Sequence, residues 1–364
     1  MPADLLVVGT GLIGTSVGLA LRGQADVLLS DPDAAAVDVA TDRGAGRRWD
    51  GRESFSHCLV ACPPGAVASV VAGLAGAATV SHVASVQRAV QDDLRAAGVD
   101  LTRVCGSHPM AGKEQSGPQA ASAELFVGRP WVLCPDEATS AAALTTTRQL
   151  AEQCGAEPLV MPAEQHDAAV ALVSHLPQVA ASAVAAVLAR AGSGLELAGP
   201  GLQDTTRIAA SDPRLWIDVL RQNASAVAPL VRLLADEIDA AARALDRLAA
   251  DSDADSDSDS GPDPDAAVVE DLLRRGNAGR ALVPRKRGEH DRDFVPVCVV
   301  VPDSPGELAG VLVSAALAGI NVEDVRVEHL PGRPTGVIEL LVLLSEQTDA
   351  RRALTAAGWK VAGG

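Results

Sequence analysis

The sequence predicts an α/β protein with three successive folded parts: a parallel sheet domain, an all-helical domain and a small βαββαβ domain. Three observations predict this order. Short Val- and Leu-rich runs alternate with Ala-rich stretches over the first third of the chain, as in βαβ units. Long Ala-rich stretches with helical spacing follow. The final segment, 294–364, carries a strand–helix–strand–strand–helix–strand pattern.

The composition of the 364 residues argues against several classes of protein. The net charge of −17 disfavours non-specific nucleic-acid binding. No uncharged apolar run approaches the roughly 20 residues of a membrane span, and the N-terminus lacks the basic region of a signal peptide. The six cysteines form no C-x-x-C pair, so we expect reduced thiols, no metal site and a cytoplasmic location.

The first domain is expected over residues 1–162, with short apolar runs as its strands and a helix from about Ala138 to Gln153. The candidate strands are Asp4–Val8, Asp26–Ser30, His57–Ala61, Thr79–Val83, Leu101–Cys105, Trp131–Cys134 and Pro158–Met161.

A glycine-rich turn joins the first of these strands to a helix. Gly9 permits the tight turn, Gly11 lets a pyrophosphate approach the backbone, and Gly14 lets the helix pack on the strand. Free N–H groups and the helix dipole favour phosphates at this point. A Rossmann-type dinucleotide-binding domain is therefore predicted, with cofactor contacts from Gly9, Gly11, Leu12, Ile13 and Gly14.

Asp31 lies seventeen residues after Gly14, at the end of the second predicted strand. A carboxylate at this position accepts hydrogen bonds from ribose hydroxyls and repels a 2′-phosphate. The sequence therefore favours NAD over NADP as the cofactor. The alternative is that Asp31 only caps the helix that begins near Asp33.

The second half of the chain is predicted to contain a helical domain, a linker and a small domain. Residues 163–250 form the helical domain, with long helices at Glu164–Arg190 and Pro213–Ala250 whose small apolar residues suit a dimer interface. Residues 251–265 carry seven Asp and no base, which predicts a disordered linker. Residues 266–293 form a connecting segment with one short helix, and 294–364 form the small domain.

The segment 107–117 is unusually polar for so apolar a chain, and it follows a predicted strand. Pro109, Ala111 and Gly112 disfavour a helix or a strand interior there. An imidazole titrates near neutral pH, so His108 suits a base that takes a hydroxyl proton as hydride leaves. The sequence therefore predicts a catalytic loop at 107–117, with His108 as the base.

The chain resembles the prephenate dehydrogenases, NAD-dependent enzymes of tyrosine biosynthesis, joined to a C-terminal ACT regulatory domain. The segments that carry the resemblance stand in family order and cover nearly the whole chain. They are GTGLIGTSVGLAL (9–21), ACPPGAV (61–67), SVQ (85–87), SHPMAGKEQSG (107–117), EQHDAAVALVSHLPQ (164–178), DTTRIAASDPRLW (204–216), VPDSPGEL (301–308) and GINVEDVRVEHLPGRPTG (319–336).

The resemblance implies oxidative decarboxylation of prephenate to 4-hydroxyphenylpyruvate, with release of CO₂ and NADH. It implies that His108 acts on the ring hydroxyl, that Ser85 orients this system, and that Pro63 lies in the nucleotide site. Arg207 would bind a substrate carboxylate bidentately. The other substrate-binding candidates are Lys113, Glu114, His175 and Gln178.

Two departures from the family pattern leave the substrate open. The chain has Gln178 where the family commonly has a histidine, and Gln87 where a lysine is usual. Prephenate carries a keto group in its side chain and arogenate an ammonium group, so an arogenate dehydrogenase is the alternative. A further alternative, a non-catalytic amino-acid sensor, predicts a damaged nucleotide turn or loss of His108, and neither is seen.

The last domain contains a turn that exposes backbone N–H groups able to hold a carboxylate, with Asp303, Pro305 and Gly306 at the start of a helix. Together with Asn321, it resembles the effector-binding face of ferredoxin-like ACT domains, which usually pair two copies. The resemblance implies an aromatic amino-acid effector and a homodimer. A dimerisation module without a ligand is the alternative.

Overall fold

The computed structural model describes residues 3–74, 76–112, 115–190, 193–252, 263–283, 294–329 and 334–362. The chain divides into two compact units, Met1–Val268 and Val269–Gly364. Lys113 and Glu114, two of the predicted substrate-binding residues, lie outside the described residues, as does 253–262 of the predicted acidic linker.

An eight-stranded sheet forms the centre of the first unit, with the spatial order β3-β2-β1-β4-β5-β6-β7-β8. β1 lies between β2 and β4 and is parallel to both, so the direction of winding reverses beside β1, as in a Rossmann fold. The strands are β1 (Ala3–Val8), β2 (Val27–Ser30), β3 (Arg47–Arg48), β4 (Phe55–Val60), β5 (Thr79–His82), β6 (Val104–Pro109), β7 (Pro130–Cys134) and β8 (Glu157–Val160).

Two features of this sheet differ from the predicted one. β7 is antiparallel to β6 and parallel to β8, so the last two strands run against the others. The short edge strand β3 consists of two exposed arginines paired with β2, and it has no apolar pattern that could have predicted it. The predicted sheet was therefore correct in its parallel centre and wrong at both edges.

The prediction that 107–117 is entirely a loop was also wrong. Leu101–Arg103 forms a 3₁₀ turn capped by Asp100, and the strand that follows continues to Pro109. The last residues of this strand pair with β7, Ser107 with Leu133 and His108 with Val132, and this pairing keeps them in the sheet. His108 therefore lies in a strand, which fixes its backbone on both sides.

Five helices join the strands and cover both faces of the sheet. Apolar residues of α1, α2 and α5 pack in a cluster on one face, and those of α3 and α4 pack on the other. The helices are α1 (Leu12–Ala20), α2 (Ala34–Asp42), α3 (Val67–Gly73), α4 (Arg88–Ala96) and α5 (Ala141–Gln153).

The helical part of the first unit contains shorter helices than predicted, because each of the two long predicted helices is interrupted at one place. A π-helical turn at Ala171–His175 precedes α7, whose first turn contains Pro177 without an N–H donor. Asn223 leaves the helical conformation between α9 and α10. The helices are α6 (Ala163–Val170), α7 (Leu176–Leu188), α8 (Pro200–Thr206), α9 (Pro213–Gln222) and α10 (Ala224–Ser252).

The run Ala163–Leu188 is long and apolar enough to cross a membrane by length and composition. It carries Glu164 and Asp167, which bond to residues of α4. Asp167 is buried and accepts the N–H groups at the start of α4, so this part of the run packs against the sheet domain.

The second unit contains a four-stranded antiparallel sheet in the order β10-β11-β9-β12. Its core is formed by apolar residues of these strands and of the two helices α12 and α13. The order of the elements along the chain, strand–helix–strand–strand–helix–strand, is the predicted one. The elements are β9 (Phe294–Pro302), α12 (Glu307–Leu317), β10 (Asp324–His329), β11 (Thr335–Leu343), α13 (Gln347–Ala356) and β12 (Lys360–Val361).

Helical structure enters the predicted acidic linker from both sides. α10 continues to Ser252, and a further helix, α11 (Pro264–Leu282), begins before residue 266. α11 is capped by Asp263, and Asp265 pairs with Arg247 of α10, so these aspartates bond to the folded chain. The predicted linker was therefore too long, and the short helix predicted after it is nineteen residues long.

Candidate active site

The carboxyl ends of β1, β4, β5 and β6 lie along one edge of the sheet, because these four strands are parallel. Gly9 follows β1, Pro63 follows β4, Ser85 follows β5, and His108 is the penultimate residue of β6. This edge is where open α/β sheets bind their ligands. The fold therefore brings predicted cofactor-binding and catalytic residues to one edge.

The glycine-rich turn has the geometry of a phosphate site. Gly9 has φ of +105°, and a β-carbon there would lie 2.4 Å from the carbonyl oxygen of Ala61. A β-carbon at Gly14 would lie 1.9 Å from the oxygen of Gly9, whereas one at Gly11 would have no described atom beyond its neighbours within 4 Å. Open space therefore lies before the first N–H groups of α1, where a pyrophosphate fits.

Leu12 and Ile13 are the first residues of α1, and their side chains pack against the core of the sheet domain. Their backbone N–H groups are among the first of the helix, which have no partner within it. Pro63 is exposed and extended, and it precedes a short turn at Pro64–Ala66. Both sites suit contact with a nucleotide.

The Asp31 carboxylate is tied to the glycine-rich turn. Its Oδ2 accepts a hydrogen bond from the N–H of Thr10 at 2.7 Å, and its Oδ1 accepts one from the N–H of Asp33 at 2.9 Å. Asp33 itself caps α2 by accepting from the N–H of Ala35. The alternative that Asp31 only caps this helix is therefore wrong, and its remaining lone pairs can accept ribose hydroxyls.

His108 is half-buried and is joined to two polar residues of α6. Its Nδ1 lies 2.9 Å from Nε2 of His166, and His166 Nδ1 lies 2.7 Å from Oδ1 of Asp167. Oδ1 and Oδ2 of Asp167 accept the N–H groups of Gln87 and Arg88, at 2.9 and 2.8 Å. We call His108, His166 and Asp167 the histidine chain.

Burial, as the largest cause, and the neighbouring His166, His175 and His82 together lower the pKa of His108 to about 3. The ring is therefore neutral at physiological pH and can act as a base. His57, another buried histidine, has both ring nitrogens 2.8 Å from hydroxyls, those of Thr79 and Ser81, so its role is structural.

His175 and Gln178 lie beyond α6, on the π-helical turn and α7. His175 Nδ1 lies 3.2 Å from Nδ2 of Asn223, and its ring packs edge-on against Trp216 with centroids 5.9 Å apart. Gln178 is buried, with its Nε2 3.4 Å from the hydroxyl of Ser182. Their contact with substrate stays a prediction.

Arg207 and Ser85 are not joined to the histidine chain by any hydrogen bond between described residues. Arg207 is exposed and begins a 3₁₀ turn, Arg207–Ala210, that packs against α7, the helix of Gln178. Ser85 is half-buried between β5 and α4, and no hydrogen bond joins it to another residue in the described part of the chain. The hydrogen-bond partner of His108 is His166 rather than Ser85.

Sequence reasoning gave no role to His166, Asp167 and Asn223. His166 and Asp167 are only 1% and 6% exposed, and Asn223 donates to the backbone oxygen of Asp167 at 2.8 Å. The available signal was two successive polar residues in an Ala-rich helix. An asparagine between two helical runs was the second signal.

The predicted effector residues lie in the second unit, at two different places. Asp303, Pro305 and Gly306 join β9 to α12, and Gly306 has φ of +98° at the N-cap of that helix. Asn321 is exposed and follows the other end of α12. An eleven-residue helix is about 16 Å long, so one copy of the chain does not bring these residues together.

A Rossmann-type sheet with a neutral histidine at its carboxyl edge, followed by helices that supply polar residues, defines a dinucleotide-dependent dehydrogenase. Comparison with models of known protein families narrows this class to one family. A model of the prephenate dehydrogenase nucleotide-binding domain matches residues 17–160, and one of the prephenate dehydrogenase dimerization domain matches 162–256. The chain belongs to the prephenate dehydrogenase family and is an NAD-dependent oxidoreductase.

Individual relatives agree with this assignment. The Streptomyces niveus protein named "Probable prephenate dehydrogenase NovF" is 35% identical over 361 residues, which is 97% of this chain and 98% of that protein. Cyclohexadienyl dehydrogenase of Zymomonas mobilis is 32% identical over 252 residues, covering 62% of this chain and 83% of that one.

A solved structure shares the fold. It is prephenate dehydrogenase from Aquifex aeolicus in complex with hydroxyphenyl propionate and NAD⁺, with a TM-score of 0.64 and 24% identity. The match covers 78% of this chain and 99% of that one.

Proposed function

We propose that this enzyme converts prephenate to 4-hydroxyphenylpyruvate, with release of CO₂ and NADH. The relatives named prephenate dehydrogenase support this substrate. The observation that carries the proposal is His108, which is neutral, stands at the same carboxyl edge of the sheet as the nucleotide turn, and uses Nδ1 for His166. Its Nε2 makes no hydrogen bond to any described residue and is available to a ring hydroxyl.

In this reaction NAD supplies the hydride acceptor. His108 takes the proton of the ring hydroxyl at Nε2 while hydride leaves the same carbon, the ring carboxylate departs as CO₂, and His108 returns the proton to the phenolate oxygen of the product. The ring becomes aromatic, so the chain needs only to align the substrate and to stabilise the charges that develop. Arg207 binds a substrate carboxylate, with Gln178, His175 and Ser85 as further contacts.

Arogenate is the second candidate substrate, because Gln178 stands where the family commonly has a histidine. An amide can hydrogen-bond a keto or an ammonium group but cannot gain a charge of its own. Side-by-side values of kcat/KM for prephenate and arogenate, with NAD and NADP, separate the candidates. We expect prephenate with NAD to be highest, since Asp31 repels a 2′-phosphate. Higher kcat/KM for arogenate would assign the other substrate, and no turnover of either would refute both.

Changing Arg207 to glutamine is expected to raise KM for prephenate about 10–100-fold, because a charge-assisted hydrogen bond contributes about 1.5–3 kcal/mol. The value of kcat should change little, since the interaction is made equally in ground and transition states. Arg207→Lys should be intermediate, because it keeps the charge without the planar fork. Steady-state kinetics measure both constants.

Arg214→Gln is the matched control, since Arg214 is an exposed arginine of the same helical region that pairs with Asp212. It should leave KM unchanged. A KM for Arg207→Gln within about twofold of wild type would remove Arg207 from the substrate site.

The second unit is proposed to be a ferredoxin-like ACT domain that binds an aromatic amino acid and regulates the enzyme. Its element order and its sheet order support this assignment. Because Gly306 and Asn321 lie at opposite ends of α12, a site that uses both needs two copies of the chain. A cytoplasmic homodimer through residues 163–250 is consistent with the dimerization-domain match.

Tyrosine is expected to inhibit the full chain and to lose most of its effect when residues 294–364 are removed. Asn321→Ala should raise the half-inhibitory concentration without changing activity in the absence of tyrosine. The measurement is initial rate against tyrosine concentration at fixed prephenate. Equal inhibition of the full and shortened chains would contradict an effector site in this domain.

A further inference from the structure

The Asp167 carboxylate acts only as an acceptor. Its two oxygens accept the N–H groups of Gln87 and Arg88, the N-cap and first residue of α4. These are donors that the helix itself cannot satisfy, and the helix dipole favours a negative charge beside them. The carboxylate is 6% exposed, so it is held in one orientation.

This arrangement fixes the protons along the histidine chain. Asp167 Oδ1 accepts, so the proton between it and His166 belongs to His166 Nδ1. A neutral His166 then has a bare Nε2, which must accept from His108, so the proton of His108 is on Nδ1. His108 Nε2 is left bare.

We infer that His166 and Asp167 are positioning residues that hold His108 in the tautomer with a bare Nε2 and share the charge that develops during turnover. This inference rests on the proposed function, in which His108 is the base. When His108 Nε2 takes the hydroxyl proton, the Nδ1 proton can move to His166 Nε2. The positive charge then lies on His166, directly beside the Asp167 carboxylate.

The other ionisable groups around the ring cannot take this role. β5 supplies His82 and the π-helical turn supplies His175, and burial lowers the pKa of both. β7 supplies Cys134, whose thiol pKa is raised by burial. Glu164 of α6 is exposed and pairs with the Arg88 side chain. Among the described residues that face the ring, Asp167 is therefore the carboxylate that can balance a charge on it.

The tautomers can be measured without substrate, by ¹H–¹⁵N NMR of the full chain labelled with ¹⁵N-histidine. We expect hydrogen-bonded Nδ1–H signals for both His108 and His166, assigned by their loss in His108→Asn and His166→Gln. A His108 signal from Nε2–H would overturn the inference. Because no turnover is required, this result is independent of whether prephenate is the substrate.

The kinetic test is Asp167→Asn. With its NH₂ beside His166, the asparagine still accepts from the N–H of Arg88 but loses the bond from Gln87, and it donates to His166 Nδ1. This orientation reverses both tautomers and places N–H of His108 toward the substrate. We expect kcat to fall about 10³–10⁴-fold, as when the carboxylate of a catalytic triad becomes an amide. Wild-type kcat should be flat between about pH 6 and 9, whereas that of the variant should rise with pH.

Glu164→Gln is the matched control, since Glu164 is one turn earlier on the same helix and also bonds Arg88. It should leave kcat and its pH profile unchanged. His166→Gln should lose only about 10–100-fold, because its amide oxygen can still accept from His108. An Asp167→Asn kcat within about threefold of wild type, with a flat pH profile, would overturn the inference. If that variant does not fold, the NMR measurement of the His108 and His166 tautomers in the wild-type chain tests the inference by itself.

Discussion

The His108→Asn variant will bind NAD with the wild-type Kd and will turn prephenate over about 10²–10⁴-fold more slowly. Asparagine can keep the pairing of β6 with β7 and a hydrogen bond to His166, but it cannot take a proton. We expect NAD binding to be unaffected because the proposed cofactor contacts are those of the glycine-rich turn and Asp31. NADH formation at saturating prephenate gives kcat, and titration calorimetry gives Kd.

His57→Asn is the control for this variant. His57 is a buried histidine of the same sheet, bonded to the hydroxyls of Thr79 and Ser81. Its replacement should lower Tm by removing buried hydrogen bonds, while kcat stays near the wild-type value. Near-normal turnover in His108→Asn would remove His108 from the reaction.

Gly14→Ala and Gly11→Ala are both expected to weaken NAD binding, but for different reasons. The methyl group at residue 14 would lie 1.9 Å from the backbone oxygen of Gly9, so α1 must move away from β1, at a cost of about 1–3 kcal/mol. Gly14→Ala should therefore lower both Tm and NAD affinity. Thermal unfolding and NAD titration measure the two effects.

Gly11→Ala is the more diagnostic of the two changes. Its φ of −73° suits alanine, and the space around it within the described chain is open. The variant should unfold like wild type, yet bind NAD more than about tenfold weaker, or about 1.4 kcal/mol, because the methyl group occupies the place of the pyrophosphate. Wild-type NAD affinity in Gly11→Ala would show that the cofactor lies elsewhere.

The nucleotide turn could be predicted from the sequence because its requirements are local. Gly9, Gly11 and Gly14 lie in one strand–turn–helix segment, and the close approach of Gly14 is to Gly9 of that same segment, although a β-carbon at Gly9 would also meet Ala61 after β4. Asp31 needed only the end of the neighbouring strand, and its bond to Thr10 follows from the pairing of β1 with β2. These positions have little freedom once the βαβ unit forms.

The surroundings of His108 could not be predicted in the same way, because they depend on distant pairings. Pro109 argued for a loop, but a proline is tolerated at the end of a strand, and β7 extends β6 to that residue. Asp167 bonds to Gln87, eighty residues earlier in the chain, through the packing of α6 near α4. A sequence shows that His166 and Asp167 are polar residues in an apolar helix, but not what they contact.

The most direct test of the central claim is the product stoichiometry of the purified full-length protein with prephenate and excess NAD. Hydride transfer and loss of CO₂ belong to one reaction, so NADH, CO₂ and 4-hydroxyphenylpyruvate should form in equal amounts, and none should form without NAD. NADH formed without CO₂, or no product from prephenate at all, would contradict the account.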